Sequence, residues 1–582
     1  MLRFPAAHVF AAVAVLLSGV PTMAQTATAA KVISDQILPK DTYLYVSAPD
    51  VSAMKDFVTS SSLGQLWNDP ALQDFKAEVD AAIHDDLQEG MLKFQEKVGI
   101  SLLEVLNIPA GEVTVAFCAG PANTMGVALF LDYGDSELQV QELLGKATEA
   151  LNSQPKLLHQ TESVDGTEVT LYEIQYPGRA PTPLAKEFGW FVKDQRLVFS
   201  NRMEILEDIL ANWDGERTDS FQQNEAYGYL MTKCQSSARS SLTTAYFDPI
   251  GLFTKLVQTG SLGQGGAGAG MALPFLPALG LSQLKGIGYV SEAGSGDFEA
   301  VGRSVIYLEQ PAMGLMKAMQ FDHCRKNPPE WVKENVNAYV AAKWKIDEAF
   351  TSIESLVDMF SGAGALAAQL DKIADQGPGI HLKHDVVDQL TGDLQIITAP
   401  GETGEYGGDQ ILVSLGTRND DSMSDILAKI ANQANFERRE FRGAEVFETS
   451  GPAPGQAISF CVSEGRLLIC VGTTLMETVL RNDSDVRPLA ESDDFRKVSG
   501  HFPANAVSVQ FTRPAETYRS IYEMLRSGEA AENFPASQDL FEKIDFTKLP
   551  PFETISKYIK PTGGYTVNDE HGLFMEAFQL KN

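Results

Sequence analysis

The sequence predicts an α+β protein of two tandem related domains, each a mostly antiparallel sheet with helices packed on it. Three observations predict this. A strand–break–helix pattern occurs four times, other segments pair up in the same order along the chain, and apolar strands come in hairpin-linked pairs. At 582 residues the chain also exceeds what one hydrophobic core usually serves.

The repeated pattern is "YLYVSAPDVSAMKDF" at 43–57, "TTAYFDPIGLFTKLV" at 243–257, "NAYVAAKWKIDEAF" at 337–350 and "VSVQFTRPAETYRSI" at 507–521. Three of the four carry Pro at the junction. The residue before Pro is held extended, and Pro at a first helical position sacrifices no hydrogen bond. Asp50 and Asp248 suit the N-cap, where a carboxylate accepts from orphan N–H groups and complements the helix dipole. Each pattern is therefore a strand-to-helix hinge. Colinear matches extend the repeat: Gly99-Ile100 with Gly379-Ile380, Gly111-Glu112 with Gly392-Asp393, and Arg196 with Arg466. The chain then divides into a signal peptide at 1–24, a linker at 25–36, a first domain at 37–326 and a second at 327–582.

Within the first domain, Asp69-Pro70 opens a long helix with Leu72, Phe75, Val79, Ile83 and Leu87 at spacings of three and four. Two apolar strands follow, then a helix with Leu138, Leu143, Leu144, Ala147 and Leu151 inward. Hairpins turn at Asp165-Gly166 and Asp194-Gln195, and helices at 203–213 and 221–233 lead to the second hinge. The second domain keeps this order, with turns at Arg442-Gly443 and Glu464-Gly465. One stretch breaks the symmetry, "GQGGAGAGMALPFLPALGL" at 263–281. Its apolar residues Met271, Leu273, Phe275 and Leu276 are expected under a sheet edge, since apolar side chains usually end up buried. The other reading is a hydrophobic lip over a ligand groove or partner contact.

Charge and termini bound the function. With 77 acidic against 46 basic residues the net charge is −31, a surface that repels phosphate backbones and anionic headgroups. Arg3, the apolar run Val9–Val20 and small residues Thr22 and Ala24 read as a cleaved export signal, with a retained, uncleaved anchor as the alternative. No later stretch approaches the ~20 apolar residues of a membrane span. Five cysteines are few and odd for a disulfide scaffold. Cys461 and Cys470 fall opposite Leu468 and Ser459 in a hairpin, as diagonal neighbours about 7 Å apart, so buried free thiols are expected.

"ILPKDTYLYVSAPDVSAM" and "VGISLLEVLNIPAGEVTVAF" resemble a family of exported bacterial proteins defined only as a domain of unknown function. Leu38-Pro39, Thr42, Pro49-Asp50, Gly99-Ile100 and Gly111-Glu112 carry the resemblance; the second repeat has Lys343-Trp344 in place of Pro-Asp. The resemblance implies an envelope location and brings no catalytic residues.

Three chemistries are weighed. Ser52-x-x-Lys55 with "KPTGG" at 560–564 imitates a Ser/Lys hydrolase, but Pro interrupts the Lys-Thr-Gly element and a second Ser-x-x-Lys at 282–285 shows how cheap the pattern is. His381, His384 and Asp385 suggest a metal by spacing, yet His381 stands where the first repeat has the cap Ser101, so cap chemistry is expected. The acidic runs at 418–425 and 481–494 lack the Gly and closing Glu of a calcium loop. The expectation is an exported, non-catalytic binding or assembly protein. It carries no catalytic, cofactor-binding or metal-binding residues and no cofactor; its partner would be an envelope protein or ligand, with no nucleic acid. A carrier of a hydrophobic ligand, or a Ser/Lys-type hydrolase, is the alternative.

Overall fold

In a computed structural model the chain is described over residues 32–79, 108–121, 124–176, 186–235, 241–262, 266–377, 379–400, 410–451, 457–472, 474–482, 484–530, 541 and 543–581. The fold is α+β, built on one large antiparallel sheet. Ten strands belong to the first half: β1 (Thr42–Ala48), β2 (Val113–Ala119), β3 (Met125–Asp132), β4 (Leu157–Val164), β5 (Thr167–Ile174), β6 (Glu187–Lys193), β7 (Arg196–Ser200), β8 (Ser241–Phe247), β9 (Leu284–Ala293) and β10 (Phe298–Leu308). The second half holds β12 (Ala338–Trp344), β13 (Leu390–Ala399), β14 (Gln410–Thr417), β15 (Glu437–Phe441), β16 (Ala444–Ser450), β17 (Ala457–Ser463), β18 (Arg466–Val471), β19 (Ala506–Thr512), β20 (Thr562–Asp569) and β21 (Gly572–Leu580), and is joined by β11 (Phe321–Asp322), which pairs with β12 although it precedes the expected boundary at 326.

From its outer edge the first half runs β4-β5-β6-β7-β3-β2-β1-β8-β9-β10. From the opposite edge the second runs β15-β16-β17-β18-β14-β13-β12-β19-β20-β21, with β11 pairing alongside the end of β12. The two strand orders correspond throughout. They meet where β10 pairs with β21, so the halves share a single sheet.

The hinges form as the sequence dictates. Asp50 accepts from Ala53 N at 2.9 Å and Asp248 from Gly251 N at 2.7 Å, each capping the helix that follows its strand. Pro249 and Pro514 stand at first helical positions. The four hairpin turns Asp165-Gly166, Asp194-Gln195, Arg442-Gly443 and Glu464-Gly465 have positive φ at both central residues, the mirror-image turn whose twist matches paired strands. Strand alternation sends Tyr45, Tyr246 and Val290 into one core with Phe221 and Tyr227, and Tyr339 and Phe511 into another with Phe495.

Three expectations need correction. Leu138 is 78% exposed, and the inward residue of its helix is Val140. The helix begins at Glu137, so Leu138 lies in the first turn, about 200° around the axis from Val140. The 263–281 stretch does not pack under a sheet edge: Met271 is 74% exposed and Phe275 is exposed too. The strand that follows it, β9, is paired on both sides, so no edge exists there to cover it. Residues 34–36, expected as the end of a linker, lie in a short helix, Ser34–Ile37, whose Ser34, Asp35 and Ile37 are buried. Asp69 caps a turn of 3-10 helix at Pro70–Leu72 as its sequence implies, while Ile83, Leu87 and Ser101 lie outside the described residues.

At the seam Arg303 faces Glu576 across the β10–β21 pair, with Arg303 Nε 2.6 Å from Glu576 and Nη1 2.7 Å from the fully buried Glu292. Nη1 also donates to the carbonyl of Cys234 at 3.0 Å. Replacing Arg303 with Met removes the guanidinium from two carboxylates, one of them wholly out of water. Urea denaturation should register a loss of roughly 3–5 kcal/mol; a loss below ~1 kcal/mol would show that the seam does not depend on this cluster.

Candidate functional site

Two features go beyond ordinary packing. The first is an apolar surface that crosses the seam. Phe275, from the asymmetric stretch, meets Phe360 of the helix Ile346–Ser361 with ring centroids 5.5 Å apart. The short helix Gly314–Lys317 lies against the same long helix, and Trp344 Nε1 donates to the carbonyl of Ala318 at 2.9 Å. Met271, Met313, Met319 and Met359 are exposed around these contacts, as are Ile353 and Ile373. Methionine on a surface is flexible and polarizable, suited to apolar partners of variable shape.

A cleft of about 300 Å³ opens at the foot of this surface. Leu308, Met316, Met319, Phe321 and Leu573 supply its apolar wall; Lys345, Asn568, Asp569 and Glu570 supply polar groups. The cleft thus places an apolar lining beside charges of both signs. Sequence reading reached Met271 and Phe275 but not Met313, Met319, Met359 or Phe360. Met359 and Phe360 lie on the helix Ile346–Ser361, and Met313 and Met319 flank the short helix Gly314–Lys317, so no local pattern links the four.

The second feature is a buried polar network in the first half. Ser34 N donates to both carboxylate oxygens of Glu112 at 3.2 Å, and Ser34 Oγ to Glu112 Oε1 at 2.5 Å. Ser34 Oγ lies 3.2 Å from Tyr45 Oη, and Thr114 Oγ1 lies 3.0 Å from Glu112 Oε1 and 2.8 Å from Ser47 Oγ. Tyr227 Oη donates to Asp35 Oδ2 at 2.9 Å, while Asp35 Oδ1, also buried, has no hydrogen-bond partner among the described residues. Arg196 Nη2 lies 3.9 Å from Glu112. Removal from water pushes the Asp35 carboxyl up to about 6; the Tyr227 hydroxyl and the backbone amides of Gln36 and Asp35 oppose this, and the Glu112 charge adds to it. The same burial raises the Tyr45 and Tyr227 hydroxyls, so both stay neutral.

The motifs weighed in the sequence are taken up locally. Ser52 Oγ donates to the carbonyl of Ala110 at 2.7 Å, from the second residue of the helix Val51–Ser60. His381 is an N-cap: its ring accepts from His384 N at 3.3 Å, and Asp385 Oδ2 accepts from His381 N at 2.7 Å. Its Nε2 lies 3.3 Å from Asp371, and His384 Nδ1 lies 3.2 Å from Asp388. No group of three or more His, Cys, Asp or Glu with metal-ligand geometry occurs among the described residues. Within 418–425, Asn419 caps the helix Asp420–Ala434; within 481–494, Ser492 caps Asp493–Ser499. No helix of the described residues is long and apolar enough to cross a membrane.

Cys461 and Cys470 pair with Leu468 and Ser459 in the β17–β18 register, and all five cysteines are free thiols. Burial pushes Cys118, Cys234, Cys461 and Cys470 up to about 12, and Cys324 to about 11. A thiol-reactive chromophore should therefore spare the folded protein apart from slow reaction at half-buried Cys324, and titrate five thiols after denaturation without reductant. Fewer than five would reveal a bridge. A fluorophosphonate probe should leave Ser52 unmodified in the folded chain; specific labelling there would restore the Ser/Lys chemistry.

No model of a known protein family matches the chain, and no curated protein matches it. Among solved structures it is similar to that described as "Structure of crystal form I of TP0453", at 8% identity and a TM-score of 0.22, over 46% of this chain and 81% of that one. A superposition that loose carries no argument about fold or function.

Proposed function

We propose that this is an exported, non-catalytic cell-envelope protein that binds a lipid-like amphiphile, one with an acyl chain and a head that is not net anionic. The observation that carries the proposal is the exposed surface of Met271, Phe275, Met313, Met319, Met359 and Phe360, which leads into the mixed cleft at Met316 and Phe321. An exposed apolar surface of this kind marks an interaction site.

Chemistry narrows the occupant. The cleft has the volume of a small-ligand site, which favours a chain-shaped molecule over a flat protein face. Lys345 opposite Asp569 and Glu570 offers partners to a zwitterionic or uncharged head. The net charge of −31 disfavours an anionic one. Export is supported by Arg3, the apolar run at 9–20 and Ala24, and by the resemblance to exported bacterial proteins carried by Leu38-Pro39 and Gly111-Glu112. A non-catalytic role agrees with the local hydrogen bonds that occupy Ser52, His381 and His384.

The test is a titration of the full mature chain with a fluorophore-labelled zwitterionic phospholipid. Binding should saturate, and Phe360→Asp should weaken it about tenfold or more, ~1.4 kcal/mol, without moving the thermal melting point. Unsaturable binding, or a Phe360→Asp protein that binds as well as the wild type, would overturn the assignment.

A further inference from the structure

The segment from residue 32 to Lys40 lies across the first half as a strap. Ile37 and Leu38 are fully buried in its core. Leu38 N donates to Ser34 O at 2.9 Å, the Leu38 carbonyl accepts from Phe221 N at 2.8 Å, and Lys40 N donates to Asp219 O at 2.9 Å. Arg217 Nη1 donates to the Ile37 carbonyl at 3.0 Å and is itself paired with Asp208 and Asp219.

The second half has a counterpart. Val332 O accepts from Leu489 N at 2.8 Å, and the isolated bridge Lys333–Pro488 corresponds to Pro39–Ser220. There the chemistry is apolar: Trp331 and Val332 are buried, and the Arg466 guanidinium sits 4.7 Å from the Trp331 ring centroid. Among the described residues, only the first half has a buried carboxyl on its strap. By the same correspondence the second half has Pro329 where the first has Asp35.

We propose that Asp35 is a proton-operated latch on this strap, holding segment 32–40 against the first half when protonated and loosening it when ionised. Every element packed on Asp35 offers it either a neutral group or a negative one. Tyr227 on the helix Glu225–Cys234 donates a neutral hydroxyl, Tyr45 on β1 is a neutral phenol paired with Ser34 Oγ, and Glu112 on β2 is acidic. The cation Arg196 on β7 approaches Glu112, not Asp35, and Arg217 is committed to a backbone carbonyl and two other carboxylates. Asp35 Oδ1 is buried with no well-formed hydrogen bond among the described residues, so an ionised Asp35 is held chiefly by Tyr227 and the nearby amides of Gln36 and Asp35. Opening the strap returns that oxygen to water.

The direction follows from linkage. The closed strap holds the Asp35 proton up to about pH 6, whereas the open strap releases it near 3.8. The closed state therefore has its full advantage below the lower value and loses it as the pH rises to the upper one. Between pH 5 and pH 8 the opening equilibrium should rise about tenfold.

Hydrogen exchange of the full mature chain measures this at the amides of Leu38, Lys40 and Phe221, after correction for intrinsic exchange rates. The wild type should show the rise. Asp35→Asn should abolish it while leaving protection in the second half, at Leu489, unchanged. Tyr227→Phe, which removes the hydrogen bond favouring the carboxylate, should enlarge the rise and move it to higher pH; this variant decides the matter if Asp35→Asn does not fold. A wild-type profile flat with pH, a rise that survives Asp35→Asn, or a Tyr227→Phe profile identical to the wild type would each overturn the latch.

Discussion

The pairing of β10 with β21 is the constraint on which the rest of the structure depends. Two copies of one strand order that meet through corresponding antiparallel strands must place some residue opposite its own counterpart. The register identifies that residue. Tyr45 is opposite Tyr246, which is opposite Gly288, which is opposite Val305. In the second half Tyr339, Phe511, Gly563 and Phe578 follow the same path. Val305 thus corresponds to Phe578, and two residues back along each strand Arg303 corresponds to Glu576. These two are each other's partners across the seam. A symmetric dimer would oppose like with like at this point, arginine to arginine or glutamate to glutamate. Joining the halves in one chain permits opposite charges there, and the buried Glu292 draws on the same guanidinium.

The halves diverge where the seam does not constrain them. Around the strap, the first half uses Ser34, Asp35, Glu112 and Thr114 where the second uses Trp331 and its stacked arginine. The aromatic positions beneath stay large in both, Tyr45 and Tyr227 against Tyr339 and Phe495. A buried phenol needs a partner for its hydroxyl, and Tyr227 finds it in Asp35; Phe495 needs none, and no carboxylate faces it from the corresponding strap. Polar and apolar solutions of the same packing problem therefore differ by coupled sets of residues rather than by isolated substitutions.

Much of the fold was legible from local rules. Asp50, Asp248, the junction prolines and the four hairpin turns each obey a constraint that spans no more than four residues, so sequence alone determines them. The opposition of Cys461 to Leu468 was legible for the same reason, because a two-residue turn fixes the register. What sequence did not disclose is set by contacts between distant segments. Leu138 and Val140 both satisfy an apolar spacing, and only the placement of the helix on its neighbours chooses between them. Nothing near Asp35 in the chain announces Glu112 or Tyr227 as neighbours. The exposed Met271 and Phe275 violate the rule that apolar residues are buried, a rule that holds only where another layer is present to cover them.

That missing layer explains the shape of the apolar surface. The helix Ile346–Ser361 turns Ala349, Ser352 and Leu356 inward, but its apolar arc is wider than the strip it buries, leaving Ile353 and Met359 on the flanks and Phe360 at its last turn. Phe275 touches Phe360, and the short helix Gly314–Lys317 lies against the same long helix; Ile353, Met359 and Phe360 stay exposed beside both. The cleft below shows the same division, with Leu308 from β10, Leu573 from β21 and Met316 from the connection between the halves. Neither half contains the surface or the cleft by itself. Both arise from the seam, so the charge complementarity that fixes β10 against β21 also fixes the walls of the cleft.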